Sequence, residues 1–477
     1  MNAFSLVAGK ARLLNYKTRM NIKFTAFTFA LIFLFAGKNF NAQTAIPTPS
    51  PAQQTSVAKA IIDVGEDRLV NAGGADAPLI EPHLAVNPKN PMHLVAGAIV
   101  TIKPDLSETH CAIFTSFNGG GAWSRHDLKL KQCFDPWVAI TGKGTAIFTA
   151  IDIHKEGNGL VIYRSADGGR NWTDQFISMG KGHDHQTIAI DNTNSKFSGS
   201  IYLISSIMAR NEAKQRRSKV FVARSSDDGV TFQEQSRMTP SNLNLQASNG
   251  VILSDGTLAI VYSDHHRWNA APRLIRPRDW LIVSGDAGKA FSEPLFITEI
   301  GGGKGWSFLD ITNAGSTNPN RIFWLTAGDH KDKVTGIYIQ SSDDRGEKWT
   351  DPVRVDQGNR DNADAQITSI ATNKNGVVAV TWFDRRLDPA RKCYDLFFAA
   401  SLDGGKTFQP EVRVSSKSTC PDTPRNKGAF ERWAYGGDYN GLVADSNGIF
   451  HVLWTDSRAE VFQLRTATIK VSALGAR

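Results

Sequence analysis

Residues 431–439 read Glu431-Arg432-Trp433-Ala434-Tyr435-Gly436-Gly437-Asp438-Tyr439. A Glu, an Arg, a Tyr and an Asp within eight residues, beside a Trp able to stack on a sugar face, have the composition of a glycan site. A second dense segment is Lys181-Gly182-His183-Asp184-His185-Gln186. Two imidazoles flanking a carboxylate can exchange protons or hold a ligand, and a polar loop without chemistry is the alternative. Glu81, Asp135, His185, Asp364 and Asp438 stand at similar places just ahead of apolar runs. Carboxylates gathered at one spot raise each other's pKa and so divide into acid and base. The alternative is that each caps its own sheet by accepting backbone N–H bonds. The ends of other apolar runs carry Asp152-Ile153-His154, Asp264-His265-His266-Arg267, Asp329-His330, Asp384-Arg385-Arg386 and Asp456-Ser457-Arg458. The repeated Asp reads as a structural ion pair. Arg267, Arg386 and Arg458 could grip a carboxylate with both arms of the guanidinium. No Cys/His spacing suits zinc, and neither a metal nor a cofactor is expected.

These residues need a scaffold, and an eight-residue pattern supplies it. Ser-x-Asp-x-Gly-x-x-aromatic begins at Ser116, Ser165, Ser225, Ser284, Ser342 and Ser401, at spacings of 49, 60, 59, 58 and 59 residues. The third positions, Asn118, Asp167, Asp227, Asp286, Asp344 and Asp403, can accept backbone N–H bonds within a tight turn. The Gly supplies positive φ, and the aromatic starts the returning strand. A second repeat lies between these turns: two apolar strands around a Gly/Asn turn, at 84–100, 138–153, 187–206, 251–264, 308–328, 367–384 and 442–456. Unbroken rather than alternating apolarity means strands buried on both faces. Repetition at a period near 60 residues means a repeat fold. The reading is all-β: a β-propeller of seven blades, with six as the alternative. The seventh blade lacks a fourth strand at its C-terminal end, and Ala60–Val64 can supply it, closing the ring with strands from both termini.

The turn pattern resembles the Asp box, or BNR repeat, of the sialidase (neuraminidase) superfamily of β-propellers, over about residues 60–471. The resemblance implies that the boxes are structural and sit away from the substrate. It also implies a Tyr nucleophile, here Tyr435 or Tyr439, with a neighbouring Glu such as Glu431 as its base. A clamp of three arginines for a substrate carboxylate would fall to Arg267, Arg386 and Arg458. Asp135, His185 and Asp438 are the further candidate catalytic groups. Arg432, His183, Glu81, Asp364 and Trp433 are the candidate binding groups. The expected activity is that of an exo-sialidase-like glycoside hydrolase on an acidic glycan. A polysaccharide lyase acting on uronic acids and a non-catalytic propeller that binds glycan or protein stay open.

Residues 24–36 form an apolar run preceded by Lys17, Arg19 and Lys23, which suits a secretory signal over 1–42, with Met20 an alternative start. Residues 43–58, rich in Pro, Thr and Ser, read as a disordered tether, leaving 59–477 as one propeller domain. The chain is +8 overall, and residues 1–42 hold six Lys or Arg and no acid, so 8 − 6 leaves about +2 for the mature protein. That balance argues against a nucleic-acid partner, and no other segment suits a membrane span. A secreted or periplasmic monomer is expected. The four cysteines fit export, paired as Cys111–Cys133 and Cys393–Cys420.

Overall fold

The computed structural model describes residues 59–71, 77–130, 132–154, 157–210, 216–238, 245–264, 278–299, 308–311, 318–329, 335–357 and 365–474. They form seven small antiparallel sheets, the blades of a seven-bladed β-propeller. Six of the sheets are four-strand meanders ordered from the channel outward. Blade 1 runs from Leu79–Asn87 to Ser124–Leu128, and blade 6 from Gln366–Thr372 to Val412–Arg413. Blade 7 takes three strands from the C-terminus and its outermost from Ala60–Val64, which pairs with 469–473 in the register Ala60↔Ala473 to Val64↔Ile469. Arg68–Leu69 adds to the same outer edge.

The apolar side chains gather into seven clusters, one for each seam between neighbouring blades. Strands apolar on both faces are what such a ring needs, because each sheet packs on two neighbours. The boxes reinforce the seams. In all six, the Ser Oγ accepts the Gly N–H four residues on at 2.7–2.9 Å. The third-position oxygen accepts a second N–H four residues on at 2.8–3.0 Å. Burial raises the Asp227 carboxyl, but bonds from Thr231 and Ser225 outweigh it and bring its pKa to about 2. The box Gly also lies against the preceding blade: a Cβ on Gly346 would sit 2.2 Å from Leu281 Cδ2, at φ +92°. Gly is therefore required twice over, for its φ and for the close approach.

Both disulfides form as expected, with Cα atoms 5.5 Å and 4.2 Å apart. Cys111–Cys133 ties the third strand of blade 1 to the innermost strand of blade 2. Cys393–Cys420 anchors a long excursion between blades 6 and 7, which carries a 3-10 turn at Pro424–Asn426 and a helix at Lys427–Arg432. Replacing Cys393 and Cys420 together by Ser is expected to cost about 2–4 kcal/mol by freeing the unfolded chain. Thermal denaturation measures it, and an unchanged melting temperature would show that the excursion docks without its anchor.

Candidate active site

One end of the channel is built by an irregularity repeated from blade to blade. The pairing of the two innermost strands slips between Ile80 and His83, Phe134 and Trp137, Asp184 and Thr187, and Gln366 and Ser369. The residue caught in each bulge has positive φ: Glu81 at 53°, Asp135 at 51°, His185 at 48° and Ile367 at 53°. This conformation is costly for residues other than Gly, and bulges re-aim side chains. Pro82 and Pro136 follow two of the four, where a missing N–H costs nothing. In blade 7 the residue two places before the first ladder pair, Gly441↔Leu453, is Tyr439.

The bulged residues reach from blade to blade. The Asp135 N–H donates to the Glu81 carboxylate, and the His185 N–H donates to Asp135 Oδ2 at 3.2 Å. His185 Nδ1 lies 3.1 Å from the Ala247 carbonyl, so it is the protonated nitrogen. The Gln186 amide donates to the Asp135 carbonyl. From blade 7 the Tyr439 hydroxyl meets the Pro136 carbonyl at 3.4 Å and lies against Glu81. Trp433 Nε1 donates to Asp438 Oδ2 at 3.1 Å. Gly437 takes φ +138° where a Cβ would fall 2.7 Å from Glu81 Cα, so the chain of blade 7 lies flat on Glu81.

Glu81, Asp135 and Asp438 thus converge with Tyr439, His185 and Arg432. Glu81 is 1% exposed. Burial first, then the charges of Asp135 and Asp438, push its carboxyl well above the ordinary range. Asp135 is raised to about 6, by burial and by Asp438, against the opposing bond from His185. Burial lowers the His185 pKa, so its imidazole is neutral at pH 7. Burial and the three carboxyls raise Tyr439 well above the phenol value. Glu81 is thus held toward its protonated form beside Asp135, a division of the kind that acid/base catalysis uses.

Other sequence candidates brace this cluster or lie elsewhere. Tyr435 stacks on Phe383 at 6.0 Å beneath Arg385, and Glu431 is exposed on the helix. Tyr439, the other phenol, does reach the cluster. Trp433 is 5% exposed and packs at 6.2 Å from Phe134, so it braces Asp438 instead of offering a face to a sugar. Arg432 is exposed and sits 4.4 Å over the Trp433 ring. His183 is turned into blade 3, bonded to Ser205 Oγ at 2.8 Å and the Met179 carbonyl at 3.2 Å, and burial brings its pKa to about 4. Arg386 is taken up by Asp384 at 2.7 Å and by Glu411. Arg458 grips Asp456 at 2.7 Å and Asp67 at 3.0 Å, pinning the N-terminal segment to blade 7. These two arginines are structural ion pairs in place of a clamp. Arg267 and Asp364 lie outside the described residues. Among the described residues no group of three His, Cys, Asp or Glu is arranged to hold a metal. No helix among them is long and apolar enough to cross a membrane.

The sequence reading missed the pairing of Tyr439 with Glu81. It also missed His83, which stacks on Trp137 at 3.7 Å and receives the Val138 N–H at 3.2 Å. An acid-Pro step at the same offset in blades 1 and 2 was the available signal.

A family model described as BNR repeat-like domain matches residues 70–308. No curated protein matches the chain. Among solved structures, the Hadza microbial sialidase Hz136 is 16% identical over 78% of this chain and 75% of its own, with a TM-score of 0.47. A protein of unknown function from Dyadobacter fermentans DSM 18053 is 11% identical over 86% and 99%, with a TM-score of 0.47. The GH93 α-L-arabinofuranosidase of Fusarium graminearum is 13% identical over 71% and 93%, with a TM-score of 0.46.

Proposed function

From the premise that the chain belongs to the BNR repeat-like domain family, we propose that it is an exported glycoside hydrolase working at the mouth formed by blades 1, 2, 3 and 7. The observation that carries this reading is the burial of Glu81 against Asp135 and Asp438, which splits the carboxyls into a proton donor and an ionised base. A purely structural cap needs only an acceptor, and an amide would serve; three carboxyls held together at the cost of mutual repulsion need another reason.

Glu81 gives its proton to the leaving glycosidic oxygen. Asp135 acts from its ionised state as base or nucleophile at the anomeric centre. Asp438, fixed by the Trp433 indole, keeps the proton on Glu81 by its charge. Neutral His185 holds the Asp135 carboxylate through its backbone N–H. Burial and the three carboxyls hold the phenol of Tyr439 toward its protonated form, against Glu81. The two disulfides suit an oxidising compartment, as does the signal read in residues 1–42.

The test is turnover of a panel of fluorogenic glycosides and labelled oligosaccharides by the purified protein, with Asp135→Asn alongside. Turnover by the parent and its loss in Asp135→Asn is the expected result. No turnover of any member, with sugar binding retained, would leave a glycan-binding propeller instead.

A further inference from the structure

We propose that His83 is a substrate-binding residue of this mouth: its Nε2–H donates to an acceptor oxygen, a hydroxyl or a carboxylate, on the sugar unit whose glycosidic oxygen Glu81 protonates. The proposal rests on the hydrolase reading above and adds to it a residue that recognises the sugar.

Three observations lead there. The first is the tautomer. His83 Nδ1 accepts the Val138 N–H at 3.2 Å, so the ring carries its proton on Nε2. Nε2 has no hydrogen-bond partner among the described residues and is not sealed from solvent. The imidazole is therefore a fixed donor with its proton still on offer. The second is its place. His83 is half-buried on the innermost strand of blade 1, Leu79–Asn87, two residues beyond Glu81. Neighbouring blades cover that strand on both faces, so the water that reaches His83 is the water of the channel. Two residues of strand span about 7 Å, a distance that one sugar ring with its hydroxyls bridges. The third is rigidity. The imidazole stacks on Trp137 at 3.7 Å, Trp137 sets its edge on Tyr439 at 5.8 Å, and Tyr439 lies against Glu81. Packed rings hold donor and acid in one frame, so little side-chain freedom is lost when a sugar binds.

A brace between blades is the plain alternative, because the residues two places beyond the bulges of blades 3 and 6 are braces. Thr187 Oγ1 donates to the Ser248 carbonyl at 3.4 Å, and Ser369 Oγ donates to the Asn440 carbonyl at 2.9 Å. Each hydroxyl gives its single proton to the neighbouring blade, and both residues are buried. His83 makes the same kind of link with one nitrogen and keeps the other for the channel.

His83→Asn and His83→Gln separate the two nitrogens. The Asn amide oxygen takes the place of Nδ1, keeps the Val138 bond and ends short of Nε2. Gln reaches the Nε2 position with an N–H and gives up Nδ1. Steady-state kinetics use the fluorogenic glycoside that the parent cleaves best, its monodeoxy analogues and, for a uronide, the matching alcohol; thermal denaturation runs beside them. His83→Asn should melt with the parent and lose about tenfold in kcat/KM, the effect of one hydrogen bond, and His83→Gln should recover most of that loss. One deoxy analogue, or the alcohol, should be cleaved equally by parent and His83→Asn, which identifies the oxygen that His83 meets. Parent-like kinetics in His83→Asn, or an equal loss on every analogue, overturns the proposal and leaves the hydrolase reading standing. If His83→Asn melts below the parent, His83→Gln decides: recovered turnover supports the proposal and a tenfold loss overturns it. If nothing is cleaved, the hydrolase reading falls, and calorimetry with free galactose, arabinose, N-acetylglucosamine and N-acetylneuraminate decides. A sugar held about tenfold more weakly by His83→Asn supports the role of His83, and equal binding, or no binding, overturns it.

Discussion

Glu81→Gln should lose about 10²–10⁴-fold in kcat/KM on any glycoside the protein cleaves, the usual worth of a positioned proton donor. Gln has the same shape and still offers an oxygen to the Asp135 N–H, so the bulge and its neighbours keep their geometry. What it cannot do is release a proton to a leaving group. The same substitution makes a second, opposite prediction for stability. The folded pKa of Glu81 is raised above its unfolded value, so its stabilising contribution is complete below the ordinary carboxylate range and is lost as pH rises through the folded pKa. The variant should therefore melt with the parent near pH 4 and above it at pH 8. Thermal denaturation at the two pH values, beside steady-state kinetics, checks both halves. Retained activity rules out the proton-donor role, and a lower melting point at pH 8 rules out the buried-charge account. In the parent, kcat/KM should rise with pH through about 6, where Asp135 ionises, and fall once Glu81 loses its proton. The two limbs belong to the interacting pair and not to either residue alone.

Gly428→Ala should be the most damaging single methyl group among the described glycines. A Cβ at this position would lie 1.4 Å from the Pro104 carbonyl oxygen and 2.4 Å from its carbon. The obstacle is backbone, so no rotamer relieves it, and the helix Lys427–Arg432 must lift off blade 1. That helix ends at Trp433, whose indole holds Asp438 and whose ring packs near Phe134. The expected loss is about 3 kcal/mol in denaturant-induced unfolding, the upper end for overpacking. Activity should fall about 100-fold, because a shift of order 1 Å in a catalytic group has that effect. Gly285→Ala is the control: nothing stands within 4 Å of its added Cβ and its φ is not positive, so it should leave both measurements unchanged. Parent-like stability and turnover in Gly428→Ala would mean that the helix does not position the site.

The residues that entered the site from sequence alone did so for a positional reason. Glu81, Asp135 and His185 were picked out because they precede apolar inner strands, and the bulges place them together. Offset was a weaker guide in blade 6, where the bulged residue is Ile367, three positions beyond Asp364. In the segment 431–439 the family resemblance left Tyr435 and Tyr439 both open, and the register of blade 7 presents Tyr439 to the cluster. Arg386 and Arg458 have the right side chains for an anion clamp, but buried partners from the same blade reach them first.

What the sequence determined by itself is whatever depends on local or repeated contacts. The box bonds span four residues, so six copies were legible as six turns. The apolar pairs counted seven blades, and the missing strand of the last pointed to Ala60–Val64. The cysteines flank neighbouring strand ends, so their pairing followed. Only the tertiary structure decided which side chains share one dielectric environment. Tyr439 meets Pro136 across 303 residues of chain, and that contact exists because the ring closes and sets blade 7 beside blades 1 and 2. Charge, burial and pKa are properties of that convergence, and no spacing along the chain encodes them.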